Sequence, residues 1–369
     1  MTTIAHITTV HPLSDPRILR KECRALAQAG HEVYLVGPGR TENEEIPVED
    51  GVRIVKTKFA RGRLGRAIVG SINVWTQLRR IRPEVIHGHD PELLPLLVTW
   101  RLANRGGVAI YDAHESLVGQ IEGKPYIPRV VRPLVKAASW LLVKTVTQRL
   151  DGVVTATSHI QAEISVRRTC VVQNFPWESS FPKSENEHDR KNFCYVGGLS
   201  KVRGIDEMAW ALDRARSESR LMLAGPVDEY AKAVIENSGD ALDYLGVVDS
   251  GEIPGILERA IAGFVVLHPV ENYLWSQPTK LFEYMAAGIP FIASDFPYWR
   301  DLVGEFDAGH FVDPGNIEQI ASAVRAVLDD PDEARRMGAR GRLAFEQHFS
   351  FAAQAAALVD FVDHLTGDR

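Results

Sequence analysis

Short β-branched runs alternate with helical stripes along nearly all of the 369 residues. In the first half, 3–8, 32–36, 85–88, 108–112 and 153–157 read as buried strands: each is a brief apolar run of strand length bounded by turn residues. A turn around His11-Pro-Leu-Ser14 follows the first run. Asp15 and Pro16 then read as a helix N-cap and a proline at the first helical position. Ile18, Leu19, Ala25 and Leu26 supply that helix with an apolar stripe, and Gly30 stops it. The pattern restarts with strand-like runs at 193–196, 220–224, 263–267 and 290–293. Strands that alternate with helices predict right-handed βαβ units and parallel sheets covered on both faces. Between the two series, 174–191 is polar, poor in helical pattern and contains Pro176 and Pro182, which marks it as the linker. The expected organisation is α/β: two doubly wound, Rossmann-like domains over 1–174 and 192–349, joined by 175–191. The last helix, within 350–369, is long enough to pack across the domain junction.

Composition excludes several classes. Apolar residues make up 45% and charged residues 24%, the balance of a globular chain rather than a disordered one. Cys23, Cys170 and Cys194 lie far apart, which argues against a disulfide framework or a zinc site and fits a reducing compartment. The opening Met1-Thr-Thr-Ile-Ala-His-Ile reads directly as a strand, not as a signal peptide, and no apolar run approaches a membrane span. A cytoplasmic protein is expected.

The net charge of −6 hides an asymmetry. Residues 1–174 hold 24 Lys and Arg against 16 Asp and Glu, whereas the remainder holds 18 against 32. From Lys56 to Arg82 there are eight basic residues and no acidic one, and a second basic stretch runs from Lys124 to Arg149 with Trp140, Leu141 and Leu142 inside it. Two readings stand. Basic residues interleaved with Trp and Leu suit an anionic membrane surface, here its inner face; a solvated positive face is the other. No nucleic-acid-binding module accompanies the charge.

Ligands of open α/β sheets bind beyond the C-terminal strand ends, so chemistry is sought there. Tyr195-Val-Gly-Gly-Leu-Ser-Lys-Val-Arg-Gly204 places Gly197 and Gly198 at a strand end and Arg203 just before a helix. Glycines let backbone N–H groups approach an anion, a helix N-terminus adds partial positive charge, and arginine can fork onto phosphate oxygens. An ordinary tight turn with a surface arginine is the alternative. Ser276-Gln-Pro-Thr-Lys-Leu-Phe-Glu-Tyr-Met-Ala-Ala-Gly-Ile-Pro290 predicts a helix of about three turns, with Pro278 in its first turn and Gly288 as its stop. Lys280 and Glu283 share one side of it, suited to a phosphate and to sugar hydroxyls, or simply paired on the surface.

These segments together resemble glycosyltransferase family 4, over almost the whole chain. The resemblance rests on His11-Pro-Leu-Ser-Asp-Pro-Arg-Ile18, His89-Asp-Pro91, Tyr111-Asp-Ala-His-Glu115, Val172-Gln-Asn-Phe-Pro176, 195–204, Leu223-Ala-Gly-Pro226, 278–290 and Val312-Asp-Pro314, in that order. It implies a GT-B architecture, with two Rossmann-like domains facing across a cleft. It also implies retaining, metal-independent transfer of a sugar from a nucleoside-diphosphate donor, with no cofactor beyond that co-substrate. The acceptor would be a saccharide or a lipid-linked one, in bacterial surface polysaccharide or glycolipid synthesis. By the same resemblance Glu283 holds the donor ribose and Arg203 stands where the family has a phosphate-binding lysine. His114 reaches the reacting sugar, and Gly246, Val247 and Val248 lie against the base. Ser276, Gln277, Pro278 and Thr279 belong to the donor loop, and Asp15 and Asp90 face the acceptor, although Asp15 also reads as an N-cap. Two departures stand out. Trp275 replaces the first glutamate of the family's paired-glutamate motif, with Glu271 or backbone near Ser276 and Gln277 as substitutes. Gly198 replaces a second phosphate-binding arginine, with Lys280 as compensation. No Asp-x-Asp metal pair occupies a strand end. An epimerase of the same architecture, which would need cleft carboxylates as acid and base, and a non-catalytic sugar-nucleotide binder are the rivals. An oxidoreductase is disfavoured, because Gly-x-Gly-x-x-Gly is missing after the first strand.

Overall fold

The computed structural model describes residues 1–39, 49, 51–114, 128, 130–164, 166–183 and 190–367. Glu115, the side chain of Arg63, residues 124–127 and 129 of the second basic stretch, and 184–189 of the linker lie outside the described residues. The chain divides into two units: Met1–Asn174 with Phe351–Arg369, and Phe175–Ser350.

In the first unit the strands are β1 (Thr3–Ile7), β2 (Glu32–Pro38), β3 (Val52–Thr57), β4 (Val85–Gly88), β5 (Val108–Ala113), β6 (Gly152–Thr155) and β7 (Thr169–Val171). They form one sheet ordered β3-β2-β1-β4-β5-β6-β7, and every pairing is parallel. Central strands are apolar on both faces, as helical cover on both sides requires. The last helix, Phe351–Gly367, belongs to this unit. Its Gln354 Oε1 accepts the Gln173 N–H at 2.9 Å. Its Phe361 and Leu365 sit so close to Gly152 that a Cβ there would lie 2.7 Å and 2.8 Å from their side chains. Any larger residue at 152 would push that helix off the sheet.

The second unit repeats the plan with β8 (Asn192–Val196), β9 (Leu221–Ala224), β10 (Leu242–Tyr244), β11 (Ala260–Val265), β12 (Phe291–Ser294) and β13 (Gly309–Val312). The order is β10-β9-β8-β11-β12-β13, again parallel throughout. In both sheets the order reverses once, between β1 and β4 and between β8 and β11. Loops leaving those neighbours diverge, which opens a crevice at the strand ends.

Two sequence expectations change. The helix expected to span about three turns runs only Thr279–Ala286. Pro278 stays outside it in an extended conformation, with ψ 117°, as the N-cap residue. The Gly288 stop is present: its φ of +65° is left-handed, and its N–H returns to the Met285 carbonyl at 3.1 Å. The pattern also failed to mark β3, β7, β10 and β13, the outer strands of the two sheets.

Candidate active site

In the second unit, the crevice beside β8 gathers the cations. Gly197 leaves β8 with φ +136°, a conformation closed to side-chain-bearing residues. A Cβ on Gly197 would lie 3.2 Å from Lys280 Nζ, and one on Gly198 would lie 2.3 Å from Arg203 Nη1. The paired glycines are therefore the space into which both cations reach. Arg203 is held from two sides: Nη1 donates to the Gly198 carbonyl at 3.0 Å and Nε to the Tyr273 hydroxyl at 3.1 Å. Lys280, in the first turn of its helix, carries its ammonium 4.7 Å above the Tyr195 ring. That first turn holds no acidic residue, so the positive helix end is not neutralised locally.

Around this pair the loop that precedes the helix Thr279–Ala286 is braced by side-chain hydrogen bonds. Ser276 Oγ donates to the Tyr273 carbonyl at 3.0 Å, the Ser276 carbonyl accepts Trp299 Nε1 at 2.7 Å, and Gln277 Nε2 donates to the Tyr298 hydroxyl at 2.7 Å. Thr279 opens the helix and Glu283 is half-buried on it. Gly246 follows β10 with φ +83° and its carbonyl accepts the Gly225 N–H at 2.8 Å, which ties the Gly246-Val247-Val248 turn to the β9 end. Val247 is 73% exposed, and Val248 is half-buried. Trp275 is half-exposed and faces Tyr298, with ring centroids 6.0 Å apart; Glu271 is exposed. Tyr195 and Tyr273, which brace the two cations, had no role in the sequence reading. Aromatics one strand-end and one loop away from a basic residue were the available signal.

In the first unit, the β1, β4 and β5 ends converge on a buried polar network. Arg17 is 6% exposed and lies against Asp112, with Nη2 3.0 Å from Oδ1, while Nη1 donates to the Val172 carbonyl at 2.8 Å. Its Nε is 3.0 Å from Glu22. Burial opposes ionisation of Asp112, but the charge of Arg17, helped by the hydrogen bond from His114, outweighs it and holds that carboxyl well below the usual range. Glu22 goes the other way: burial, then the Asp112 charge, push it well above a normal carboxyl. The sequence reading passed over Arg17, Glu22 and Asp112 as parts of a helix and a strand.

Asp90 is 1% exposed, and its Oδ2 accepts the Thr9 N–H at 2.6 Å and the Thr8 hydroxyl at 2.8 Å. It thus shapes the loop after β1. Asp15 caps the next helical segment: Oδ1 accepts the N–H groups of Arg17 (2.9 Å) and Ile18 (3.1 Å). Its Oδ2 lies 3.2 Å from His11 Nδ1. Burial opposes it, yet the hydrogen bond and charge of His11 bring Asp15 to about 2. Burial likewise lowers His11, and the Asp15 bond with the Asp90 charge raise it above its ordinary value overall.

His114 stands just past β5, its side chain 15% exposed, with Nε2 2.9 Å from Asp112 Oδ2 and 3.0 Å from His89 Nδ1. His89 Nε2 in turn lies 2.9 Å from His6 Nδ1. Two groups could be taken for metal cages: His6, Glu22, His87 and His89, and His89, Asp112 and His114. Geometry favours hydrogen bonding. The His6 and His89 centroids are 5.1 Å apart and those of His89 and His114 5.2 Å, which exceeds each N···N distance by only the depth of the two rings. Each pair of nitrogens therefore points straight at the other, rather than both toward a common point where an ion could sit.

Two units of Rossmann-like strand order are the plan of the GT-B fold, and the family models and relatives that this chain matches make it a glycosyltransferase that uses a nucleotide sugar. Residues 17–174 match the model of "Glycosyltransferase Family 4" and residues 178–344 that of "Glycosyl transferases group 1". The chain belongs to glycosyltransferase family 4. It is 25% identical to a glycogen synthase of Mycobacterium tuberculosis, over 91% of this chain and 87% of that one. It is 26% identical to a GDP-mannose-dependent alpha-(1-6)-phosphatidylinositol dimannoside mannosyltransferase of the same species, over 90% of this chain and 87% of that one. Sucrose-phosphate synthase from Thermosynechococcus elongatus shares the fold, with TM-score 0.79, 17% identity and full coverage of both chains.

Proposed function

We propose that this glycosyltransferase transfers its sugar with retention and without a metal, the charge of the departing diphosphate being met by Arg203, Lys280 and the N-terminus of the helix Thr279–Ala286. The observation that carries this reading is the convergence of both cations on Gly197 and Gly198. Fixed positive charge where negative charge develops is what a departing diphosphate demands. Glu283 on the same helix would hold the ribose and the Gly246–Val248 turn the base. A thermal-shift screen of nucleoside diphosphates and their sugars, run in EDTA, tests this. One base family is expected to raise the melting point, because a ligand of the folded state stabilises it. No shift from any nucleotide at saturating concentration would remove the reading. An epimerase needs a cleft acid–base pair in the donor unit, and no such pair of carboxylates flanks the two cations among the described residues.

For the acceptor we propose a saccharide or lipid-linked species met at an anionic membrane, in surface polysaccharide or glycolipid synthesis. The relative named for phosphatidylinositol dimannoside supports a lipid-linked acceptor. The structure of the first unit adds exposed apolar surface to its basic stretches. Leu64, Ile68 and Ile72, spaced by four, are each more than half exposed, as are Leu134, Leu141 and Leu142 on the helix Arg132–Thr147. Only Thr147 of that helix is buried. Lys144 lies 4.6 Å from the Trp140 ring, an arrangement suited to the headgroup level. No helix among the described residues is long and apolar enough to cross a membrane. Co-sedimentation with anionic vesicles at low salt is expected, weakened by salt and by Leu141→Asp. Equal partition onto neutral and anionic vesicles would count against an anionic surface, and none onto either would count against a membrane role.

A further inference from the structure

Asp112 Oδ2 has two imidazole nitrogens against it: His114 Nε2 at 2.9 Å and His89 Nδ1 at 3.3 Å. Those nitrogens also face each other at 3.0 Å, so that a proton on His114 Nε2 lies between the Asp112 oxygen and His89 Nδ1. A gap of that length holds one proton, since two N–H groups pointed at each other would collide. Asp112 is ionised and accepts only, so the proton belongs on the nitrogen that reaches it better, His114 Nε2. His89 Nδ1 is then bare, and neutral His89 carries its own proton on Nε2. That proton faces His6 Nδ1 at 2.9 Å, nearly collinear, so His6 accepts and keeps its proton on Nε2. His6 Nε2 is buried and without a hydrogen-bond partner, which ends the chain inside the sheet. The register makes the chain: His6 on β1 lies level with His87 on β4, and His89 lies two residues further, just beyond the strand.

We propose that His89 and His6 are positioning residues which, with Asp112, hold His114 in the single tautomer protonated on Nε2. This leaves Nδ1 bare to accept a hydrogen bond from a sugar hydroxyl. The inference rests on the transferase reading only for the identity of that hydroxyl. His114 Nδ1 has no partner among the described residues, so a hydroxyl donor would complete it. A free imidazole interconverts its tautomers; here two neighbouring rings and one carboxylate decide between them before any substrate arrives.

The test is heteronuclear NMR of the full chain with 13C,15N-labelled histidine, His114 being assigned by the loss of its signals in His114→Gln. Ring carbon and nitrogen shifts report which nitrogen bears the proton, and no substrate is needed. In the wild type, His114 is expected as one tautomer, protonated on Nε2. In His89→Leu its shifts should move toward the averaged values of a mixture. His89→Gln, whose side-chain oxygen can accept the shared proton, should restore the wild-type position. Where His89→Leu does not fold, His6→Leu serves, since it frees the His89 tautomer from the far end. A wild-type His114 protonated on Nδ1, or shifts unmoved by folded His89→Leu or His6→Leu, would overturn the proposal. Should nucleotides fail to bind while the tautomer behaves as described, the functional reading falls and the relay stands.

Discussion

Lys280→Ala is expected to lower kcat for donor turnover by roughly 10²- to 10³-fold, the usual cost of removing one preorganised charge-stabilising donor. Its fold should survive, because the ammonium rests against the Tyr195 ring at 4.7 Å, a contact worth on the order of 1 kcal/mol. Arg203→Ala should lose a similar factor. Arg203→Lys should recover only part of it, since a lysine keeps the charge without the fork that reaches the Gly198 carbonyl and the Tyr273 hydroxyl together. Gly198→Ala makes a sharper test. The new Cβ would lie 2.3 Å from Arg203 Nη1, the mobile end of a long side chain. The protein should therefore fold while the guanidinium moves aside, and activity should fall without the charge having been changed. Steady-state kinetics of nucleoside-diphosphate release read all four variants. Wild-type kcat in both alanine variants at the cation positions would place the diphosphate elsewhere.

Acid destabilisation of the first unit should be large. Burial, followed by the charge of neighbouring imidazoles, pushes His6 and His87 well below their ordinary value. For His89 burial is again the largest cause, and it titrates at about 4. As pH falls from 6.5, the unfolded chain takes up protons that these three folded histidines refuse, so stability falls with pH. For His89 alone, the span from 6.5 to about 4 amounts to roughly 3 kcal/mol, at about 1.4 kcal/mol per pH unit. His11 has the opposite sign: its contribution is full below 6.5 and disappears as pH rises through its raised value. Asp15 contributes above about 3.8 and keeps doing so until pH approaches 2. Between pH 7 and 5 three losses therefore meet two gains, from His11 and from Glu22, whose buried carboxyl keeps its proton where the unfolded chain gives it up. Calorimetric melting at pH 7, 6 and 5 should show a falling transition temperature, with a shallower slope in His87→Leu. A transition that rises toward pH 5 would mean that these histidines are charged in the folded protein.

The buried strands were legible in the sequence and the exposed ones were not. The four strands that the pattern missed, β3, β7, β10 and β13, are the outer strands of the two sheets. An edge strand is covered less, so Val52–Thr57 and Thr169–Val171 have no fully buried residue and present no continuous apolar run. The crevice beside β8 was readable because glycines, a helix start and a basic residue lie within a few positions of one another. The histidine relay was not, because His6, His89 and His114 come from three separate strand ends and Asp112 from the close of β5. Only parallel register brings them together. A trace was there: His6 interrupts an apolar strand, and His87 and His89 alternate across the end of another. Asp15 shows the reverse, since its reading as an N-cap and its place beside His11 hold at once.

The direct measurement is a calorimetric titration of the nucleoside diphosphate selected by the thermal screen, in EDTA, into the wild type and into the Arg203→Ala, Lys280→Ala double variant. One site per chain in the wild type, abolished in the double variant, is the expected pair of results. Equal affinity in both proteins, or wild-type binding that appears only when magnesium replaces EDTA, would show that Arg203 and Lys280 do not hold the diphosphate.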